Sequence, residues 1–592
     1  VGPESAGSNP GPICYNLGGD KITITDINLL LGYLSDSIKL AGYLEIDKQL
    51  TEKTVDKIAS QSKYTSLELI TGIRSIVNEN MSQAIKLHVT EKGEDPREFI
   101  LYAFGGAGPL HAYDICTSIG IKTIIVPNRA GILSSYGFLS SQVGLEKYYT
   151  YIKLLKDVKL LNLKQFIAKN IKDIFKLIKF SKIKEEDFVI DIYLEMRYEG
   201  QGFDLSIKID NKISLDNIEK LFTKRYNELY GLSLNYNIQI SSLKLVINEK
   251  SSKDIQDTIT LEQINTSVTT YRKVWFSDTK SWVDCKILNF DNIPINISQK
   301  GPAIIESKNT TVVVGVYGNY IKNSIGDIKI SILDNNISLN SFDYNNPVNL
   351  EIILARIRSI ADEADKILLK TSFSSAVRDG KDYSLVISDK NGKCVGIPTE
   401  CMPLFITCMP RTIRIISEMF DSRLKPGDII LTNDPWIGSG HKSDVALISP
   451  IYLNNKLNGF IGTILHVADI GGTIGDFRAW DFYEEGLMIP PIKLYKSGKL
   501  NTELIEMISD NVRLPKLVLG DIFAMVSTIN SLHHKITNLK SSIKNLDFCK
   551  IAESYSKRMA LAFKNQINHL PKGTFCSELN VCLLYTSPSP RD

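Results

Sequence analysis

The chain has 592 residues, of which 43% are apolar and 23% charged, a balance that is typical of folded globular proteins and excludes wholesale disorder. Its 69 basic and 66 acidic side chains give a formal net charge of +3, so charge offers no argument for a nucleic-acid partner or a membrane partner. Nine cysteines without a CxxC pair, and no apolar run of about 18 residues, favour a reduced cytoplasmic protein without a transmembrane helix.

The two ends of the sequence differ from its body. The chain starts with Val1 rather than Met, and we interpret it as a fragment of a longer protein. Residues 583–592 differ in sequence character from the residues that precede them. We predict that they are a non-native tail.

The first predicted domain, residues 1–145, has the pattern of a parallel β–α–β unit. Apolar residues at helical spacing predict a long helix over Leu69–His88. Buried strands are predicted at Phe99–Phe104 and Ile121–Val126, with a helix over Leu110–Ser118 between them. This order of elements predicts a parallel sheet.

A glycine-rich loop, Gly105, Gly106, Ala107 and Gly108, follows the first of these strands. Glycine lets a ligand approach the backbone closely, and the free N–H groups at a helix start attract polar or anionic groups. The loop is therefore a candidate nucleotide-binding element, although it is neither a P-loop nor a GxGxxG motif. The alternative is a tight turn without a ligand.

Two further domains are predicted downstream. Residues 146–335 mix helical patterns with short β-like runs such as Phe188–Glu195 and Thr310–Val316, and they contain no cluster of metal-ligand residues, which is typical of a scaffold. A linker rich in Asn and Ser is predicted at 336–347. The third domain, residues 348–582, opens with an amphipathic helix from Leu350 to Leu368.

The third domain contains a predicted β-hairpin that brings metal-ligand residues together. A strand is predicted from Val445 to Leu453 and a return strand, which carries His466, from Phe460 to Val467. The turn between them is predicted over Asn454–Gly459, centred near residue 456, with Asn458-Gly459 as its strongest signal. Residue 466 is then opposite about residue 446, close to His441 and Asp444. Because cross-strand Cβ atoms lie about 5 Å apart, these three side chains can reach one ion. Two imidazoles and a carboxylate suit Zn, Mn or Fe.

The residues around this hairpin also allow other interpretations. Asp382 precedes a strand predicted at Tyr383–Ser388 and is a candidate fourth ligand, whereas Asp469 is a competing ligand or a supporting residue. Alternatively, His441 and Asp444 cap a loop and His466 packs at a strand end.

A pair of acidic residues, Glu484 and Glu485, precedes an Ile-Pro-Pro segment. Adjacent glutamates often form a solvated face, but one of them is a candidate general base beside a metal site.

The sequence resembles a known superfamily, that of the ATP-dependent hydantoinases and 5-oxoprolinases, which includes acetone and acetophenone carboxylases and caprolactamase. The first half is similar to the C-terminal part of hydantoinase A and the second half to the N-terminal part of hydantoinase B. The A-like motifs are 2–7, 14–15, 25–29, 103–111, 128–134, 197–202 and 301–306. The B-like motifs are 382–384, 433–435, 441–444, 466–472 and 484–486.

The resemblance implies a mixed α/β and α+β multidomain fold. It implies the second half of an actin-like ATPase domain, a mixed β-rich domain and a B-type metal-binding α+β domain. In that frame Gly105 to Gly108 line the adenosine side of ATP, which binds with Mg. A divalent metal, Zn or Mn, binds Asp382, His441, Asp444 and His466.

The function implied by the resemblance is ATP-driven opening of a hydantoin, 5-oxoproline or a related lactam. Homo-oligomers, or assemblies like those of separate A and B subunits, are expected. An ATP-dependent ketone carboxylase and a non-catalytic assembly module with a structural metal are the alternatives. The N-terminal phosphate-binding loops of the family are absent from this sequence, so the fragment is expected to be inactive alone. Relatives often carry Leu-Pro where this chain has Lys442 and Ser443, and a second His where it has Val467.

Overall fold

The computed structural model describes most of the chain. The predicted tail at 583–592 and residues 336–342 of the predicted linker lie outside the described residues. The described residues are 4–36, 44–91, 96–141, 144–178, 185–210, 214–231, 233–250, 270–333, 343–438, 440–473, 479–543, 545–568, 573–574 and 576–578.

Helices occur in all three predicted domains. They are α1 (Ile24–Leu30), α2 (Lys48–Ser60), α3 (Ser66–Glu91), α4 (Gly108–Ile119), α5 (Leu133–Ser140), α6 (Leu160–Ile178), α7 (Leu215–Tyr230), α8 (Pro347–Thr371), α9 (Ser375–Arg378), α10 (Pro403–Phe420), α11 (Thr502–Asn511), α12 (Pro515–Ser542) and α13 (Phe548–Ile567). The predicted helices at Leu69–His88, Leu110–Ser118 and Leu350–Leu368 are confirmed as α3, α4 and α8.

The strands alternate with these helices along the chain. They are β1 (Leu101–Tyr102), β2 (Thr123–Val126), β3 (Gly144–Leu154), β4 (Phe188–Tyr198), β5 (Leu205–Ile209), β6 (Ile238–Glu249), β7 (Thr270–Phe276), β8 (Ser281–Asn289), β9 (Gln299–Lys300), β10 (Ala303–Glu306), β11 (Thr311–Val314), β12 (Gly318–Lys322), β13 (Ile328–Ile332), β14 (Tyr383–Asp389), β15 (Cys394–Gly396), β16 (Ile429–Thr432), β17 (Asp444–Leu453), β18 (Lys456–His466), β19 (Ile492–Lys496) and β20 (Lys499–Leu500).

Among the described residues these strands form several separate sheets, so the fold is a mixed α/β multidomain one. Two sheets have the orders β1-β2-β13-β12-β9 and β11-β10-β8-β7. A third has the order β3-β6-β4-β5, and a seven-stranded sheet has the order β15-β14-β18-β17-β16-β19-β20. β1 and β2 are parallel and flank α4, which confirms the predicted β–α–β unit. β2 also pairs with β13, so one sheet contains strands from both sides of the predicted limit at residue 145.

The predicted burial of the strand at Phe99–Phe104 is wrong. The strand is only two residues long, and Tyr102 and Phe104 are exposed while Ala103 is buried. In the described part of the chain β1 pairs only with β2, because it lies at the edge of its sheet. An apolar run alone does not distinguish an edge strand from a central one.

The seven-stranded sheet is covered on both faces, which explains its apolar sequence. Leu385, Val445 and Leu465 point into a core that also contains residues of α8 and α12. Val386 and Ala446, which alternate with them, pack in a second core with residues of α10. Strands buried on both faces read as continuous apolar runs, as β14 and β17 do. This enclosure fixes the register of the central strands, which carry the candidate site at one end.

None of the described helices combines the length and the apolar character that crossing a bilayer requires.

Candidate metal centre

The hairpin predicted from the sequence is present, with a tighter turn than expected. β17 and β18 are joined at Asn454 and Asn455, which have φ values of 51° and 59°, so Leu453 pairs with Lys456. The turn predicted over Asn454–Gly459 is confirmed at Asn454 and Asn455 but is wrong at Asn458 and Gly459, because both of these residues lie within β18. Asn tolerates the left-handed conformation that a two-residue hairpin turn needs at both positions.

Gly459 serves strand packing rather than the turn. A Cβ atom built on it would lie 2.1 Å from the carbonyl oxygen of Ser388 on β14 and 2.8 Å from the ring of Phe548. No side chain fits there without displacing the neighbouring strand. The Asn-Gly pair is therefore a signal of close backbone approach in this chain.

The tighter turn and a bulge between Ile451 and Tyr452 together move the register by two residues from the prediction, and they place His466 directly opposite Asp444. On the other side of β18, Tyr383 of β14 pairs with Leu465, and the N–H of His466 donates to the carbonyl of Asp382 at 3.0 Å. Asp444, His466 and Asp382 thus lie at the same end of three neighbouring strands.

The ligand atoms of His441, Asp444 and His466 all lie within 4.8 Å of one another. Nδ1 of His466 is 3.2 Å from Oδ1 of Asp444, and Nε2 of His441 is 3.3 Å from Oδ2 of the same carboxylate. The Asp444 side chain is only 1% exposed, whereas the two imidazoles are partly accessible. A buried carboxylate is thus bracketed by two rings.

Two observations indicate that these residues could bind a first-row divalent cation. Zn–N and Zn–O bonds of about 2.0–2.2 Å bring ligand atoms within about 4 Å of one another, close to the observed spread. Nδ1 of His441 is buried and has no hydrogen-bond partner among the described residues. Burying such a polar atom without a partner is costly, and coordination of a cation by this nitrogen would remove that cost.

Asp382 lies beside this group rather than within it. Its Oδ2 is 4.0 Å from Nδ1 of His466, and its side chain is 36% exposed. It does not belong to the set of three whose ligand atoms converge among the described residues. Its role as a fourth ligand stays a prediction.

Lys442 joins the His441 loop to the loop that carries Glu485. Its backbone N–H donates to Oε2 of Glu485 at 3.1 Å, and its Nζ donates to the carbonyl of Gly486 at 2.9 Å. The ammonium group also lies 3.8 Å from the centre of the Phe482 ring. Burial lowers the pKa of Lys442, against the opposing effect of Glu485 and Asp481.

Asn433 reinforces the same junction. Its Nδ2 donates to the carbonyls of Lys442 and Leu487, each at 2.8 Å, and its Oδ1 accepts from the N–H of Ile489 at 2.6 Å. The sequence interpretation missed this role of Asn433 and Lys442. A polar residue at the end of an apolar strand was the available signal for Asn433, and nothing in the spacing indicated Lys442.

The two candidate general bases differ in position. Glu485 is half-buried and bound to the backbone next to His441. Glu484 is exposed and accepts from the backbone N–H of Trp480 at 2.8 Å. Glu485 is therefore the one held against the loop that carries His441.

Asp469, the competing candidate for a metal ligand, forms an ion pair with Arg513. Its carboxylate binds the guanidinium of Arg513, with Oδ1 2.5 Å from Nη2. Burial alone would raise the pKa of Asp469, but hydrogen bonds from Arg513 lower it. The geometry favours a structural ion pair.

The glycine-rich loop lies far along the chain from this centre and has open space beside it. Gly105 has a φ of 84°, and a Cβ atom on Gly105 or Gly108 would meet nothing within 4 Å. The hydroxyl of Thr310 donates to the carbonyl of Gly105 at 3.0 Å. The loop is thus held from one side and leads directly into the N-terminus of α4, an arrangement that accepts a polar ligand edge.

Three family models match the chain in order. They are Hydantoinase/oxoprolinase at residues 1–147, Hydantoinase/oxoprolinase C-terminal domain at 163–318, and Hydantoinase B/oxoprolinase at 346–582.

Individual proteins are similar over long stretches. 5-oxoprolinase 1 of Arabidopsis thaliana is 27% identical over 529 residues, which cover 85% of this chain and 41% of that protein. Caprolactamase subunit alpha of Pseudomonas jessenii is 29% identical over 330 residues, which cover 53% of this chain and 47% of that subunit. The chain therefore spans less than half the length of these relatives.

A solved structure is similar as well. The crystal structure of ATP-dependent caprolactamase from Pseudomonas jessenii matches with a TM-score of 0.51 and 26% identity, covering 56% of this chain and 50% of that one.

Proposed function

We propose that this chain, which belongs to the hydantoinase/5-oxoprolinase superfamily, is part of an enzyme that uses ATP to open a cyclic amide such as 5-oxoproline, a hydantoin or a related lactam. The names of the similar 5-oxoprolinase and caprolactamase support the substrate class. The convergence of His441, Asp444 and His466 carries the proposal, because it supplies a ligand set in the B-like part of the chain.

Two sites divide the chemistry in this proposal. Bound ATP would supply the phosphoryl group that activates the ring amide, and a bound divalent cation would polarise a carbonyl or lower the pKa of water. Gly105 to Gly108 are proposed to contact the nucleotide through the backbone, since the open space beside Gly105 leaves room for a ligand. The actin-like character of this part of the chain belongs to the same proposal.

The chain's own residues hold the reacting groups at the second site. His441, Asp444 and His466 would bind the cation, with Asp382 beside them. The buried carboxylate of Asp444 compensates the cation's charge, while the partly accessible imidazoles leave one side open. An open side is what distinguishes a catalytic centre from a structural one.

Glu485 is the proposed general base. One of its carboxylate oxygens, Oε2, is fixed by the N–H of Lys442, so Oε1 is the atom that would accept a proton from water. Glu484, exposed and bound to Trp480, is proposed to have no part in proton transfer.

The test is ADP release by the full-length protein with 5-oxoproline, a hydantoin or caprolactam as the added substrate. Turnover without bicarbonate is expected with at least one of them. Glu485→Gln is expected to lower turnover by about 10²-fold or more, because general-base catalysis typically contributes that much. Glu484→Gln is the matched control and is expected to keep turnover near that of the unmodified protein. ADP release that requires a ketone and bicarbonate would refute the hydrolase.

A further inference from the structure

A cavity of about 820 Å³ lies where the three predicted domains meet. Its wall contains residues of α3, α4, α7, α8 and α12, so each part of the chain contributes to it. None of the candidate nucleotide, metal or catalytic residues lines it. Its volume is within the range of about 300–1,000 Å³ that is typical of small-molecule sites.

A charge cluster with two buried carboxylates and three partly buried cations forms part of this wall and the layer behind it; it consists of Glu79, Glu363, Lys86, Arg356 and Lys535. Arg356 binds Glu79 through two hydrogen bonds of 3.0 and 3.1 Å between α8 and α3. Lys535 of α12 binds Glu363 of α8. The cluster therefore links three helices from both halves of the chain.

The cluster contains three cationic side chains and two carboxylates. Burial lowers the pKa of Lys86, and the positive charge of Arg356 lowers it further, whereas Glu79 and Glu363 act in the opposite direction. As ionised side chains, three cations and two carboxylates give the cluster a formal charge of +1, beside the open space of the cavity.

The outer wall adds more cations than carboxylates. It contains three basic and two acidic side chains, Arg97, Lys366, Lys370, Asp204 and Glu228. Lys366 also lies 3.8 Å from Asp365, which reduces its contribution. Long side chains such as these can reach a ligand in the cavity from several directions.

We propose that this cavity binds a small molecule carrying two or more phosphate or carboxylate groups. Excess positive charge at a partly desolvated surface attracts anions, and several ammonium and guanidinium donors around one cavity favour a ligand with more than one anionic group. This proposal is independent of the proposed function, because it uses none of the residues of the two reaction sites.

The test is calorimetric titration of the chain with inorganic pyrophosphate and, separately, with citrate. Divalent cations are first removed on a chelating resin, so that neither probe binds through a metal. The ionic strength is held constant, so that salt screening is the same in every titration. Saturable binding of one molecule per chain is expected for pyrophosphate, citrate or both, and the pattern distinguishes phosphate from carboxylate recognition.

Four variants assign the site. Lys86→Met and Lys370→Gln are expected to weaken anion binding at least tenfold. If Lys86→Met fails to fold, the affinity of Lys370→Gln tests whether the anion binds in this cavity. Lys169→Gln, on the exposed face of α6, and His441→Ala, in the candidate metal centre, are expected to change affinity less than twofold. Absence of saturable binding, unchanged affinity in the foldable cavity variants, or loss of binding in His441→Ala would overturn the proposal.

Discussion

Asp444 and His466 face each other across the β17–β18 hairpin, with Oδ1 of the aspartate 3.2 Å from Nδ1 of the histidine. The aspartate is buried in the sheet, and the histidine is at its accessible end. This pair is fixed by strand register, whereas His441 reaches the same carboxylate from the preceding loop. The candidate metal centre therefore takes two of its residues from the sheet and one from a loop held through Lys442 and Asn433.

His441→Ala is expected to lower the divalent-metal content of the purified chain at least tenfold. It removes one of three converging ligands and the ring whose Nδ1 lacks a partner among the described residues. The measurement is elemental analysis after dialysis against metal-free buffer. His534→Ala, an exposed histidine on α12, is the control and is expected to leave metal content unchanged. Equal metal content in both variants would contradict the site.

Asp382 and Asp444 are expected to differ in their importance for metal binding. Asp444→Asn is expected to reduce affinity more than Asp382→Asn, because Asp444 contacts both imidazoles and is buried, while Asp382 is 4.0 Å from His466 and partly exposed. Competition with a chromophoric chelator measures both affinities. An equal or larger loss for Asp382→Asn would show that Asp382 is a principal ligand.

The hairpin turn at Asn454 and Asn455 is expected to control the stability of this region. Asn455→Val is expected to lower the free energy of unfolding by about 1–2 kcal/mol, because a β-branched residue is strained at the positive φ of 59°. Asn455→Gly is expected to retain or raise stability, since glycine adopts this conformation without strain. Urea unfolding measures the differences. Lys456→Val, at the first residue of β18, is the control, and a loss as large as that of Asn455→Val would exclude turn strain as the cause.

The sequence was sufficient to predict the convergence of His441, Asp444 and His466, because alternating strands and a turn constrain which residues meet. It was insufficient for the position of the turn. The Asn-Gly signal at Asn458-Gly459 reflects the close approach of β14 to Gly459, which depends on a strand about 70 residues earlier in the chain.

The burial of one strand and a contact between two loops could not be predicted from the sequence. Phe99–Phe104 is as apolar as a central strand, yet β1 has a sheet neighbour on only one side in the described part of the chain. The attachment of Glu485 to the backbone of Lys442 joins two loops that are distant in sequence, so no local pattern predicts it. Contacts between loops depend on the packed sheet beneath them.

His533, half-buried on α12, is expected to make stability depend on pH. Burial lowers its pKa from 6.5 to about 4, and its Nε2 lies 2.9 Å from the hydroxyl of Ser449 on β17. Between these pH values the unfolded chain binds a proton that the folded chain does not, so the contribution of His533 falls by up to about 3 kcal/mol as the pH decreases from about 6.5 to about 4. His533→Gln is expected to remove this component from urea-unfolding free energies measured across that range. His534→Gln, the exposed neighbour on the same helix, is expected to retain it, and an identical pH profile for the unmodified chain and His533→Gln would disprove the assignment.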